Sequence, residues 1–204
     1  DCESLIFVTI PDSVTSIGDE AFSGCKSLVS VTIPDSVTGV GYHAFYNTAI
    51  IENQTRVKYV DHWIVDCDTD VIVVEIKEDT IGIGDYAFEN CSSLLSLMIP
   101  DGVMRIGDYA LKDCTSLNFI TVPDSVTSIG YRSFYGTSLL ENQTGVKYAG
   151  NWIVDCDADV TSVEMKENTG GIGDYAFYDC NNLTSIIIPA VSYTHLRAHE
   201  TAAN

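Results

Sequence analysis

Three stretches of this 204-residue chain have the glycine spacing of a nucleotide-binding turn: Gly39-x-Gly41-x-x-Ala44, Gly82-x-Gly84-x-x-Ala87 and Gly171-x-Gly173-x-x-Ala176. In a dinucleotide site such glycines let the backbone approach a pyrophosphate at the start of a long helix, inside a βαβ unit of about 30 residues. No such unit surrounds these three, so they read as turns. Asp66-x-Asp68-x-Asp70 and Asp155-x-Asp157-x-Asp159 open like a calcium loop. Such a loop needs Gly at its sixth position and Glu at its twelfth. This chain has Val71 and Lys77, or Val160 and Lys166, so an acidic loop at the foot of a hairpin is expected. His43 and His62 lack the positionally fixed acid or hydroxyl partner of a nucleophilic triad. His195 and His199 stand four apart, without a third metal ligand or the H-E-x-x-H order. No carboxylate pair stands out in the way glycoside hydrolysis requires. The chain therefore reads as non-catalytic, with no cofactor and no metal.

The totals narrow the class. The chain is 46% hydrophobic, enough to bury a core. No stretch approaches the ~18 continuous apolar residues of a membrane helix, so no insertion into a membrane is expected. The formal net charge is −19, from 29 acidic and 10 basic residues. Phosphate recognition needs Lys and Arg to displace counterions, which argues against nucleic acid and anionic lipid as partners. No signal peptide precedes Asp1-Cys2-Glu3-Ser4-Leu5, so a fragment or mature region is expected.

The elements that would position any site are set by a repeat. Val8-Thr9-Ile10-Pro11-Asp12-Ser13-Val14-Thr15-Ser16-Ile17-Gly18-Asp19-Glu20-Ala21-Phe22 returns at Val31 to Phe45. Degraded copies start at Val74, Leu97, Ile120, Val163 and Ile186. The anchors Ile10, Ile33, Ile76, Ile99, Val122, Met165 and Ile188 are 23 residues apart, except where a 20-residue insertion intervenes. Glu52-Asn53-Gln54-Thr55 and Trp63-Ile64-Val65-Asp66-Cys67-Asp68 each recur 89 residues later, which points to duplication of a three-turn block.

Each unit reads physically. Leu28, Val31 and Ile33 alternate inward along a short strand while Ser30 and Thr32 point out. Pro34-Asp35-Ser36 ends it, because Pro cannot donate to a ladder and Asp and Ser favour turns. Val37 and Val40 form the next inward pair, Gly41 permits a tight turn, and Ala44-Phe45 suit one short helical turn with Phe filling the core. A single unit cannot bury its apolar face, so neighbours must stack. Cys2, Cys25, Cys91, Cys114 and Cys180 share one column, each three residues before a Leu; free buried thiols acting as small hydrophobes are expected there.

The insertions, about 47–70 and 136–159, read as β-hairpins with turns at Asp61-His62 and Gly150-Asn151. They project from or fold against the rod and carry Tyr59, Trp63, Tyr148 and Trp152. Half of these aromatics should pack on the solenoid, and the rest are candidate protein contacts. On the strands two outward columns follow from the period. One is Phe7, Ser30, Val73, Ser96, Phe119, Ser162 and Ser185; the other is Thr9, Thr32, Glu75, Met98, Thr121, Glu164 and Ile187. Phe7, Met98 and Phe119 are the candidate contacts on this face, since exposed aromatics commonly anchor interfaces.

The pattern Leu-x-x-Val-x-Ile-Pro-x-x-Val-x-x-Ile-Gly-x-x-Ala-Phe-x-x-Cys resembles the BspA-like leucine-rich repeat of bacterial surface proteins, from Cys2 to about Pro189. The resemblance implies a leucine-rich-repeat solenoid over 1–189. Its fold would be a right-handed stack of seven turns, with short parallel strands, short helical or 3-10 turns, and two inserted hairpins. Lys77-Glu78 and Lys166-Glu167 depart from the Pro-Asp of the pattern, each after an insertion. Residues 190–204 break the repeat and read as a non-family tail. The family implies a secreted or cell-surface location and a role in adhesion or protein interaction. The partner would be a host matrix protein, another cell surface or a glycan. The alternative is a structural spacer without a ligand.

Overall fold

The computed structural model describes residues 2–189. Asp1 and the 190–204 segment lie outside the described residues. The chain winds as a repeat solenoid with two strand-bearing faces. On the first face lie the strands Phe7–Thr9, Ser30–Thr32, Val73–Glu75, Ser96–Met98, Phe119–Thr121, Ser162–Glu164 and Ser185–Ile187. All their pairings are parallel and in the register of the repeat: Phe7 faces Ser30, Val73 faces Ser96, and Ser96 faces Phe119. Alternation explains the burial, with Leu28, Val31 and Ile33 inside and Ser30 and Thr32 outside.

This face is not one sheet. It divides into sheets of two, three and two strands, broken between Ser30–Thr32 and Val73–Glu75 and again between Phe119–Thr121 and Ser162–Glu164. The breaks fall where the insertions leave. There the chain forms the four-residue helices Ala49–Glu52 and Ser138–Glu141 in place of a strand. These are the only α-helices among the described residues.

The second face corrects the turn count. Its rungs are Ile17, Val40, Ile64, Ile83, Ile106, Ile129, Ile153 and Ile172, about eight turns rather than seven. The additional rungs come from the hairpins. Strand Val57–Val60 pairs antiparallel with Trp63–Cys67, and Trp63–Cys67 then pairs parallel with Gly82–Ile83 of the next turn. Val146–Ala149, Trp152–Cys156 and Gly171–Ile172 repeat this. Each hairpin is thus a shortened turn built into the stack, because its apolar strand is buried only by continuing the sheet.

The Ala44-Phe45 segment also differs from expectation. It forms hydrogen-bonded turns rather than a helical turn, and its carbonyls bond to the neighbouring coil: Phe22 N–H donates to Ala44 O at 2.7 Å. A residue at positive φ in every such corner, among them Glu20, His43, Tyr86, Tyr109, Arg132 and Tyr175, stops a right-handed helix from propagating.

Candidate functional site

The hairpin aromatics are core, which corrects their candidacy as surface contacts. Trp63 and Trp152 are 2% and 4% exposed, and Tyr59 and Tyr148 are buried as well. The Trp63 indole packs against Gly82, where an added Cβ would come within 2.5 Å of Cη2; Trp152 does the same at Gly171. Two of the nucleotide-like glycines, Gly82 and Gly171, are therefore spaces for tryptophan. Tyr59 accepts a hydrogen bond from Lys77 N–H at 3.3 Å, and the Lys77 ammonium sits 4.1 Å from its ring centroid. Tyr148 and Lys166 repeat this at 3.3 and 3.8 Å. Burial raises the Tyr59 phenol above its ordinary pKa. Gln54 clamps the hairpin, donating to Ile50 O and Tyr59 O and accepting from Tyr59 N–H. Gln143 does the same in the second copy.

The acidic hairpin feet hold lysines. Lys58 Nζ lies 2.7 Å from Asp66 and 3.3 Å from Asp68, and Lys147 lies 3.0 Å from Asp155 and 2.9 Å from Asp157. Asp68 also accepts Arg56 N–H, and Asp157 accepts Gly145 N–H. These bonds hold both carboxyls below the ordinary range. The Arg56 amide contributes most at Asp68 and the Lys147 side chain most at Asp157. His62 lies between Asp61 and Asp79 at 3.4 and 3.3 Å. All seven cysteines are free, with Cys2 exposed and the others buried. Burial pushes the Cys156 thiol up to about 12. The column thiols contact both carbonyls, as Cys114 Sγ does Phe88 O at 3.0 Å, and one another, as Cys91 does Cys67 and Cys114.

The strand-face candidates are open to solvent: Phe7 is 71% exposed, Met98 69% and Phe119 53%. The central three-stranded patch brings Met98 and Phe119 together diagonally, since Phe119 pairs with Ser96 and Met98 with Thr121. Val73, opposite Ser96, adds exposed apolar surface to it. Phe7 belongs to the separate two-stranded patch at the other end of the break.

A second surface was not picked out from the sequence. Tyr42, Tyr86, Tyr109, Tyr131 and Tyr175 form a ladder along one corner of the stack, with successive ring centroids 4.7, 4.9, 5.3 and 5.0 Å apart. His43 stacks between Tyr42 and Tyr46 at 3.8 and 4.7 Å. Arg132 lies 5.1 Å from the rings of both Tyr131 and Tyr135. His43, Tyr86, Tyr109, Arg132 and Tyr175 hold φ between 51 and 60 or, for Arg132, at 49. Glu20 holds the same conformation at its own corner, so the positive φ belongs to the repeat and sets the direction in which each corner side chain leaves the stack. In the sequence the ladder is hidden by its own recurrence, which is also the mark of scaffold. Its signal was an aromatic at one of two adjacent corner positions, turn after turn.

No helix among the described residues is long and apolar enough to cross a membrane. Among curated proteins none matches the chain. Among solved structures, it is similar to a leucine rich cell surface protein from Faecalibacterium prausnitzii A2-165, at 23% identity and a TM-score of 0.47, covering 95% of this chain and 63% of that one. The chain thus spans less than two thirds of that protein's length. It is also similar to the pneumococcal vaccine antigen PcpA, at 19% identity and a TM-score of 0.42, covering 89% of this chain and 50% of that one. A leucine rich repeat protein of T. pallidum matches at 23% identity and a TM-score of 0.34, covering 95% of this chain and 82% of that one. The model of the BspA type leucine rich repeat region matches in 6 copies over residues 1–62 and 81–199, extending past Pro189 into the segment read as a tail. With that match over most of its length, the chain belongs to the BspA-type leucine-rich-repeat family.

Proposed function

We propose that the chain is a non-catalytic interaction module of a secreted or cell-surface protein, serving adhesion. The observation that supports this best is the open apolar group of Val73, Met98 and Phe119 on the central strands. A parallel-strand face needs only small polar residues on its outside, as Ser30, Thr32, Ser162 and Ser185 illustrate. Large apolar side chains held outward lose contact with water only when a partner covers them, and such residues dominate interface energies. The partner class is a matrix or cell-surface protein. The test is a capture screen of the purified chain against matrix proteins and glycan arrays, repeated with Met98→Ala/Phe119→Ala. A loss of about tenfold or more in affinity for a captured protein is expected, the usual scale of a two-residue hot spot. Unchanged binding to every captured protein would overturn the strand-face reading.

A further inference from the structure

The tyrosine ladder ends in a cleft of about 160 Å³, walled by Tyr131, Tyr135, Tyr175 and Tyr178 and floored in part by Phe134 and Leu140. Tyr175 and Tyr178 are each more than half exposed, with centroids 5.9 Å apart and planes at 74°, so they present an open corner. Asp155, Asp174 and Asp179 also line the cleft. Asp155 is neutralised by Lys147 at 3.0 Å, whereas no ion pair joins Asp174 or Asp179 among the described residues.

We propose that this cleft docks a basic peptide segment, which inserts a lysine or arginine side chain into the Tyr175–Tyr178 corner with Asp174 and Asp179 as counter-charges. The inference rests on the interaction-module reading but places a second contact on a different face. A cation within about 6 Å of a tyrosine face is drawn to the ring quadrupole, more strongly as it is desolvated. This fold uses that attraction repeatedly. Lys77 lies on Tyr59, Lys166 on Tyr148, and Arg132 on Tyr131 and Tyr135 inside this same cleft. Tyr175 and Tyr178 carry no such cation among the described residues, although they stand beside two carboxylates. The occupant is a peptide rather than a free ammonium ion because the corner continues into the ladder from Tyr131 back to Tyr42, a track along which an extended chain can lie. A net charge of −19 favours a basic partner over an acidic one.

The test is calorimetric titration of the full chain with a capped tetra-arginine peptide and, in a parallel arm, with tetramethylammonium chloride, at two salt concentrations. Saturable one-to-one peptide binding is expected. Tyr175→Ala/Tyr178→Ala should weaken it about tenfold or more, and Asp174→Asn/Asp179→Asn severalfold. Tyr175→Phe/Tyr178→Phe, which keeps both ring faces, should stay within about twofold of the parent. Met98→Ala/Phe119→Ala should leave peptide affinity unchanged, so that failure of the strand-face reading and failure of this one are told apart. Three results would overturn the proposal: no saturable binding at millimolar peptide, affinity indifferent to both the tyrosine and the aspartate changes, or tetramethylammonium binding as tightly as the peptide. Circular dichroism checks that each variant is folded. If the alanine pair is not, the aspartate and phenylalanine pairs decide.

Discussion

Lys77 and Lys166 stand where other turns carry proline, and the reason is a hydrogen bond. Tyr59 and Tyr148 need the backbone N–H that proline lacks, and the lysine ammonium then covers the ring. Gly82 and Gly171 show the same dependence on a hairpin residue, because a Cβ at either would enter the indole of Trp63 or Trp152. Both tryptophans are buried and cannot swing away. Gly82→Ala should therefore cost about 1–3 kcal/mol through overpacking. Gly18→Ala provides the control, since nothing lies within 4 Å of its added Cβ. It should be neutral or stabilising by up to about 1 kcal/mol, by restricting the unfolded chain. Urea midpoints of the two variants check the pair; equal shifts would show that the Trp63 contact is not what selects glycine. Both lysines were visible in the sequence as departures from the repeat, and both glycines as turn residues within it. Their reason was not, because it lies about 20 residues away in the inserted segment.

At the scale of elements, each hairpin is held by Gln54 or Gln143 at its base, by a lysine between two aspartates, and at the first tip by Asp61, which accepts Ile33 N–H at 2.8 Å. The second tip has Gly150 in that place, at φ 58 and pressed against Val122, so the tips differ while the bases agree. The carboxyls of Asp68 and Asp157 lie below their ordinary value of 3.8 in the fold. A carboxyl depressed in the folded state contributes stability that is full above its unfolded pKa and is lost as pH falls through the folded value. The hairpin bases should therefore loosen at pH below that ordinary value, not between pH 5 and 8. Hydrogen-exchange protection factors should show this at the Arg56 and Gly145 amides, which donate to these carboxylates. The Tyr59 amide, bonded to uncharged Gln54, should keep its protection over the same range. Parallel loss at all three amides would mean global unfolding and would contradict the local account.

For the whole molecule, the hairpins join what would otherwise be separate cores. Val60 and Trp63 pack in the core that contains Phe45, whereas Tyr59 and Ile64 of the same hairpin pack in the central one. Trp152 faces the central core, and Tyr148 and Ile153 face the last. A stack in which each turn touches only its neighbours depends on such joints for cooperativity. The cysteine column runs through these cores, and accessibility divides it. One thiol, Cys2, should react rapidly with a maleimide in the native protein, and all seven only after denaturation. Mass spectrometry after a short native pulse reads this directly. Rapid labelling of a second cysteine would show that the stack opens there.

The sequence by itself determined the repeat, the inward and outward columns of the first face, the hairpin positions and turns, and the exposed candidates Phe7, Met98 and Phe119. These depend on alternation and period, which are local properties of the chain. Only the tertiary structure decided that the hairpins are turns of the stack, that the first face breaks into three sheets, and that Tyr59, Trp63, Tyr148 and Trp152 are buried. An apolar hairpin has no period telling whether it projects or inserts; that choice is made by the surface it can bury against its neighbours. The tyrosine ladder was decided the same way, because rings separated by 22 to 44 residues become a surface only when stacking brings them within about 5 Å.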